Sequence, residues 1–340
     1  MSTVAALTLW TAITAYVVFG GADFGAGIWD LVPGSGDRGL RARELADTAI
    51  TPVWEANHVW IIFALVVCWT AFSQAFAAIL STLWIPFMLA LLGIVGRGSG
   101  FAFRHALSGR AGELSGRLFA ASSAVAPFFL GAAFGGIASG RVPLGNAAGD
   151  PLTSWLNPTS IVVGVLAVLT CAYLAAVFLI HDARRMGDEE LAVVFTQRAT
   201  GAAAATGALA IAGVFVLRSD AEYVGDRLTT DALPLIAVSV LAGAANLALL
   251  RRGARRGTRQ LAVLAVAAVV WAWAVAQAPY LLPTSLTVSA AAAPDTTLTW
   301  LLAISIVALV VVGASLALLF ALHRRSLLDS AQPDPMLGGP

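Results

Sequence analysis

The sequence predicts an all-α, polytopic integral membrane protein with nine transmembrane helices. Of its 340 residues, 59% are hydrophobic and only 11% are charged, and the mean hydropathy is +0.84. A water-facing surface carries roughly a quarter to a third charged residues, so these charges are too few to cover a soluble protein. Two further observations define the fold: the spacing of the apolar runs and the distribution of the arginines between the runs.

Nine apolar runs define the predicted helices. A hydrocarbon core of about 30 Å is crossed by about 20 helical residues, and Gly, Pro, Asn, Asp or Arg separates the runs, as expected where the backbone leaves the bilayer. The first run is long enough to tilt or to project into water. The predicted helices lie near 5–30, 52–72, 76–96, 118–138, 159–180, 199–217, 233–250, 260–279 and 298–322.

The arginines orient these helices. The chain has no lysine, and 17 of its 20 basic residues follow predicted helices 1, 3, 5, 7 and 9. The opposite side has only Arg141, Arg218 and Arg227. Because positive residues concentrate in cytoplasmic loops, this bias places the N-terminus outside and the C-terminus in the cytoplasm. It also favours an odd number of helices.

The other regions add little to this architecture. Residues 1–325 are expected to form a single integral membrane domain, and 326–340 a short flexible cytoplasmic tail. The first run has no positive charge before Arg38, so it is interpreted as helix 1 rather than as a cleaved signal peptide. The net charge of +1 disfavours a nucleic-acid partner. Cys68 and Cys171 have neither disulfide-framework nor zinc-site spacing.

Two acidic residues inside the predicted spans are candidates for function. Asp23 lies in GGADFGAG of helix 1, and Glu55 lies in TPVWEANHVW of helix 2. An ionisable group within a membrane costs about 2.5 to 3.5 kcal/mol, so its presence indicates a functional role. Both acids lie toward the cytoplasmic ends of adjacent antiparallel helices, with Asp23 roughly 10 Å in. Thr51 and Pro52 predict the helix start, which places Glu55 at the positive end of the helix dipole.

Asn57 and His58 complete this group. Glu55 is favoured as a carboxylate by the dipole and as a neutral acid by burial, so it can bind and release a proton. Glu55 and His58 share a helix face, and His58, with an ordinary pKa of about 6.5, can relay a proton or only donate a hydrogen bond. Three interpretations stay open: a proton pathway, a hydrogen-bonded cluster that joins two helices, and a register that leaves Glu55 in the headgroup region.

Supporting roles are assigned to four further residues. Trp54 and Trp60 flank the acidic motif of helix 2, and Arg97 and Arg104 follow helix 3 in a glycine-rich stretch. For each arginine alone, the favoured interpretation is anchoring to lipid phosphate together with positive-inside topology. No catalytic residue, metal site or haem-ligand set is predicted, because the sequence lacks Cys-x-x-Cys-His, a bundle-facing His pair at i, i+4 and a phosphate-binding loop.

Three motifs in the first 105 residues carry a family resemblance. They are GADFGAG at 21–27, PVWEANHVW at 52–60 and LLGIVGRGSGFAFR at 91–104. In this order and spacing they resemble subunit II of the cytochrome bd-type quinol oxidases. The resemblance implies two four-helix bundles plus one peripheral helix, paired with a homologous subunit I. In that family, subunit I carries haem b and haem d and the quinol site, and subunit II binds no haem.

The resemblance also implies a function. Such a complex, in the bacterial cytoplasmic membrane, oxidises quinol to quinone, reduces O2 and draws protons from the cytoplasm. Membrane lipid and a small accessory subunit are further expected partners. Glu55 matches the family's inner-facing acid, Asp23 matches the second acid of its helix 1 motif, and Asn57 and Trp60 match its asparagine and tryptophan. The chain departs from the pattern by having Gly20 for an acid, Ala56 for a glycine and His58 for a Gln or Glu, which indicates a divergent branch.

Two competing functions use the same residues. In a proton-coupled secondary transporter, Asp23 and Glu55 would bind the coupling proton. In a purely structural membrane partner, they would only hold helices together. Transporters commonly have repeat-related broken helices at mid-membrane, whereas these acids cluster near one face of a single helix pair, which favours the oxidase subunit.

Overall fold

A computed structural model of the chain describes residues 1–32, 34, 36–50 and 54–324. Eight helices in these ranges are long and apolar enough to cross a membrane, and the shorter apolar segment Asn57–Ala71 lies in the second predicted helix. This confirms a polytopic, helical membrane protein. The count of nine crossings and the orientation remain predictions, and the tail at 326–340 lies outside the described residues. The eight spans are Ser2–Trp29, Trp84–Arg104, Gly109–Ala138, Pro158–Arg185, Glu189–Asp220, Leu233–Arg251, Thr258–Gln277 and Asp295–Ser315.

In the part of the chain that the structure describes, the secondary structure is helical apart from one short hairpin. The elements in chain order are α1 (Ser2–Ala15), a π-helical turn (Tyr16–Gly20), α2 (Gly21–Trp29), α3 (Gly36–Ile50), α4 (Trp54–Ala71), α5 (Ser73–Thr82), α6 (Trp84–Ala106), α7 (Gly109–Ala138), α8 (Pro158–Arg185), α9 (Glu189–Asp220), α10 (Glu222–Leu228), α11 (Leu233–Arg251), α12 (Thr258–Gln277), β1 (Tyr280–Leu282), β2 (Leu286–Thr287), α13 (Val288–Ala291) and α14 (Asp295–Arg324). Strands β1 and β2 pair antiparallel between α12 and α13.

The first span contains an irregular turn. Helices α1 and α2 continue into each other through the π-helical turn at Tyr16–Gly20. Single π-helical turns inside α-helices are rare and occur frequently at functional sites. This one ends at Gly20, three residues before Asp23, in the same membrane span.

The predicted third helix, 76–96, is wrong in its bounds. Helix α5 ends at Thr82, Leu83 leaves the helical conformation, and α6 begins at Trp84 and runs to Ala106. Pro86 explains the new start, because proline is tolerated in the first helical turn, where its missing N–H has no intrahelical partner. Arg97 and Arg104 therefore lie within a helix rather than after one.

Helix α3 forms where the sequence predicts only a loop. It is amphipathic: Ala42, Leu45 and Ala46 are buried, while its polar face pairs with the start of α9. On that face, Arg38 contacts Glu190 at 2.8 Å and Arg41 contacts both Glu190 and Asp188. An apolar face combined with an arginine-rich polar face is typical of a helix that lies at the membrane interface.

Helix α2 lies at the centre of the first bundle. Two large apolar clusters make up most of the core: one joins α2, α3, α8 and α9, and the other joins α1, α4, α5 and α7. Glycines let α2 approach its neighbours closely. A Cβ atom at Gly25 would lie 1.9 Å from the carbonyl oxygen of Cys171 on α8, and one at Gly27 would lie 2.1 Å from Oγ of Ser123 on α7.

Candidate functional site

A buried ion pair joins α2 to α6. Arg97 Nη2 donates to Asp23 Oδ1 at 2.7 Å and to the Asp23 carbonyl oxygen at 3.3 Å. The two side chains are 2% and 1% exposed. Lipid-phosphate anchoring, the interpretation favoured from the sequence, is therefore wrong for Arg97. Because desolvation of two charges offsets much of their attraction, such a pair is weak evidence for stability and stronger evidence for function.

Three polar atoms in and beside this pair have no hydrogen-bond partner among the described residues. Among the described residues, the Tyr16 hydroxyl, Asp23 Oδ2 and Arg97 Nε are buried and have no hydrogen-bond partner. The Arg97 guanidinium also lies over the Phe24 ring, 5.3 Å from its centroid. Buried polar atoms of this kind are the usual binding partners of ordered water. The cluster can therefore hold water against the free oxygen of the Asp23 carboxyl group.

His58 is the residue of α4 that meets this cluster. Its ring centroid lies 6.0 Å from that of Tyr16 and 5.7 Å from that of Phe24. His58 is also near enough to Asp23 for an electrostatic interaction. The structure therefore brings together two residues, Asp23 and His58, that the sequence assigns to one proton pathway.

The other predicted residues of α4 contribute less or are not described. Trp60 is half-buried and stacks on Phe19, with centroids 6.4 Å apart. Asn57 is half-buried, and within the described ranges no hydrogen bond joins it to Asp23 or Arg97. The backbone of Trp54 and Glu55 lies in the first turn of α4, but their side chains lie outside the described part of the structure.

A second ion pair lies two helical turns from the first. Arg104 Nη1 donates to Asp30 Oδ2 at 3.0 Å, and Arg43 of α3 donates to Asp30 Oδ1 at 2.6 Å. Arg104 also pairs with Asp47, so it too is held by protein carboxylates. Asp30 follows the last residue of α2. We call Asp23–Arg97 the deep pair and Asp30–Arg104 the boundary pair.

The sequence contains a signal for this arrangement that residue-by-residue analysis misses. Asp23 and Asp30 are seven residues apart, and so are Arg97 and Arg104. Seven residues are close to two helical turns, about 10.5 Å, so each helix presents two like charges on one face. Two residues that the sequence analysis does not select belong to the candidate site: Tyr16, through its buried hydroxyl, and Asp30, through its pair with Arg104. Within the described ranges, no group of three or more His, Cys, Asp or Glu side chains could hold a metal ion.

Comparisons with known proteins give one consistent result. A family model of cytochrome bd terminal oxidase subunit II matches residues 1–323. The cytochrome bd ubiquinol oxidase subunit 2 of Bacillus subtilis (strain 168) is 29% identical over 206 residues, which cover 55% of this chain and 59% of that protein. The cytochrome bd-I ubiquinol oxidase subunit 2 of Escherichia coli (strain K12) is 28% identical over 227 residues, covering 62% and 56%.

The chain thus spans less than two thirds of the length of these curated relatives. The fold comparison is more extensive. A chain of the bd oxidase from Geobacillus thermodenitrificans superposes with a TM-score of 0.78 at 25% identity. The superposition covers 95% of this chain and 98% of that one.

Proposed function

Because the chain belongs to the cytochrome bd terminal oxidase subunit II family, we propose that it is the haem-free subunit II of a quinol oxidase in the bacterial cytoplasmic membrane. It stabilises a subunit I that carries haem b, haem d and the quinol site, and it conducts protons from the cytoplasm toward the site of O2 reduction. The similarity of fold to a bd oxidase chain over nearly the whole length supports this assembly.

The deep pair is the observation that carries the proton role. Arg97 holds Asp23 Oδ1, while Oδ2 has no partner among the described residues. A proton can therefore be added to Oδ2 and removed from it without breaking the contact with Arg97. The unpartnered Tyr16 hydroxyl beside it supplies a second polar group for the same water.

The route to Asp23 runs along the start of α4. Glu55 is the acid nearest the start of that helix, where the helix dipole favours its carboxylate form, and we assign to it the capture of protons from the cytoplasm. Asn57 holds water next to it, and His58, in contact with the Tyr16 and Phe24 rings, passes the proton on or orients the water. Trp54 and Trp60 support this segment of α4.

Glu55→Gln is expected to slow quinol-dependent proton uptake and O2 consumption by about tenfold or more, in keeping with the loss of a proton-transferring side chain. The amide keeps the size and hydrogen bonding of the side chain but does not exchange a proton. The haem absorbance of the complex is expected to remain, because the substitution changes no expected haem ligand. Proton uptake is measured as the pH change around inverted vesicles, beside O2 consumption and an absorption spectrum.

Glu113→Gln is the matched control, since Glu113 is an exposed acid on α7. It is expected to leave uptake and O2 consumption unchanged. Full activity and full proton uptake in Glu55→Gln would reject the proton role and leave the scaffold role. Purification of the chain without a haem-bearing partner would favour a stand-alone transporter instead.

A further inference from the structure

Phe119 of α7 lies at the level between the deep pair and the boundary pair. On α2, Gly27 separates the two aspartates, and a Cβ atom there would lie 3.2 Å from Cε1 of the Phe119 ring. On α6, Gly100 separates the two arginines, and a Cβ atom there would lie 2.6 Å from the Phe119 backbone nitrogen. The two glycines let α7 approach both helices at this one level.

The Phe119 ring contacts the guanidinium groups of both pairs. The guanidinium carbon of Arg97 lies 5.1 Å from the ring centroid and that of Arg104 lies 4.1 Å from it. Cation–π attraction of this kind holds a ring and a cation together. The two arginines are two turns apart on one helix, and both guanidinium groups lie against this one ring. Phe119 is 1% exposed.

The one polar side chain placed beside Gly27, that of Ser123, donates its hydroxyl to the Phe119 carbonyl oxygen. The boundary pair lies at the end of α2 and the deep pair lies within the span, and the Phe119 ring, which has no polar atom, contacts the guanidinium groups of both. Apolar constrictions of this kind block water, and in channels they gate by wetting and drying. Asp23 pairs with the arginine at one end of this contact, and Asp30 pairs with the arginine at the other end.

We propose that Phe119 is a positioning residue that keeps the direct path from the boundary pair to the deep pair dry, so that protons reach Asp23 from α4 and not along α2 and α6. The inference rests on the proposed proton function, and it specifies the route. It assigns to the boundary pair the task of fixing α2, α3 and α6, rather than that of passing protons.

The dryness of this layer can be measured without reference to proton transfer. Ser123 lies one turn beyond Phe119 on α7, is fully buried and donates only to its own helix, at the Phe119 carbonyl oxygen. Ser123→Cys therefore places a thiol beside the ring, against Gly27 of α2. A membrane-impermeant methanethiosulfonate is applied to the cytoplasmic face of inverted vesicles that contain the whole complex, and peptide mass spectrometry follows modification at position 123.

With Phe119 present, modification is expected to be slow, and Phe119→Ala is expected to accelerate it at least tenfold. Phe101→Ala is the matched control: this ring also contacts Arg104, with its centroid 5.2 Å from the guanidinium carbon, and it belongs to α6 rather than to α7. If Phe119→Ala prevents assembly, Phe119→Val replaces it, with a smaller acceleration. Equal rates in the parent, the Phe119 variant and the Phe101 control would overturn the proposal.

A rescue experiment separates a positioning role from simple packing. If Phe119 closes the direct path, Phe119→Ala combined with Glu55→Gln is expected to recover part of the proton uptake that Glu55→Gln alone loses, because water then reaches Asp23 along α2. A packing defect would only lower uptake further, and that result would contradict the positioning role. Accelerated labelling with no effect of Glu55→Gln would keep the dry layer and reject the Glu55 route. If labelling stays slow in the Phe119→Ala variant and Glu55→Gln still lowers proton uptake strongly, the Glu55 route is kept and the dry layer at Phe119 is rejected.

Discussion

Asp23→Asn destabilises the complex by about 3–5 kcal/mol in our expectation, because it leaves the Arg97 guanidinium buried without a counter-charge. Arginine cannot shed its proton inside a protein, so the cost is not relieved by neutralisation. The asparagine oxygen keeps one hydrogen bond, but the charge is lost. The result is measured as a lower thermal unfolding midpoint of the purified complex and as less assembled complex in membranes.

The reciprocal substitution tests the reason for this cost. Arg97→Met leaves the Asp23 carboxyl group, which can bind a proton and become neutral, so its effect is expected to be smaller than that of Asp23→Asn. The double variant is expected to be more stable than Asp23→Asn alone, since no uncompensated charge remains. Asp226→Asn, which weakens an exposed pair with Arg218, serves as the control and is expected to have little effect.

Two outcomes would contradict this account. If Asp23→Asn unfolds at the same temperature as the parent, the deep pair is not desolvated in the complex. If Arg97→Met is the more damaging single variant, the charge of Arg97 acts on something other than Asp23. Proton uptake in the same preparations then tells whether Asp23 also carries protons, because the double variant is expected to retain its fold and lose uptake.

Apolar length predicts most of this fold because membrane helices satisfy their own backbone hydrogen bonds. Apolar length alone locates the eight described spans, apart from the shifted bounds of the third predicted helix, and the apolar part of α4. It fails where a helix continues past the apolar run or breaks within it. Arg97 and Arg104 extend α6 into charged sequence, and the break at Leu83 lies inside an apolar run, so hydropathy gives no sign of either.

The candidate site is predictable in its members but not in its pairing. Asp23 can be predicted as a functional residue without knowing its partner, because placing an ionisable side chain inside a membrane costs free energy. Its partner Arg97 is 74 residues away, and the arginine excess at the cytoplasmic side supplies a sufficient topological reason for every arginine taken alone. Only the matched seven-residue spacing on two helices, with Gly27 and Gly100 between the charges, indicates that they pair.

Gly25→Ala is expected to have the second large effect, because the added methyl group would meet backbone. Its Cβ atom would lie 1.9 Å from the Cys171 carbonyl oxygen and 2.6 Å from the Ala175 Cβ atom. Neither can rotate away, so α2 and α8 must separate. Overpacking in a core typically costs 1–3 kcal/mol, and we expect about 3 kcal/mol or more here, read as a lower unfolding midpoint and less assembled complex.

Two other glycines isolate the cause. At Gly21, one turn earlier on the same face of α2, a Cβ atom would meet only side-chain atoms, the nearest being Leu174 Cδ1 at 3.3 Å. At Gly243 of α11 it would meet nothing within 4 Å, and alanine there is expected to stabilise the helix by up to about 1 kcal/mol. The expected order of stability is therefore Gly243→Ala, then Gly21→Ala, then Gly25→Ala. An order in which Gly25→Ala is tolerated would mean that α2 and α8 lie further apart in the complex, and Asp23, two residues from Gly25, would then be less firmly held against Arg97.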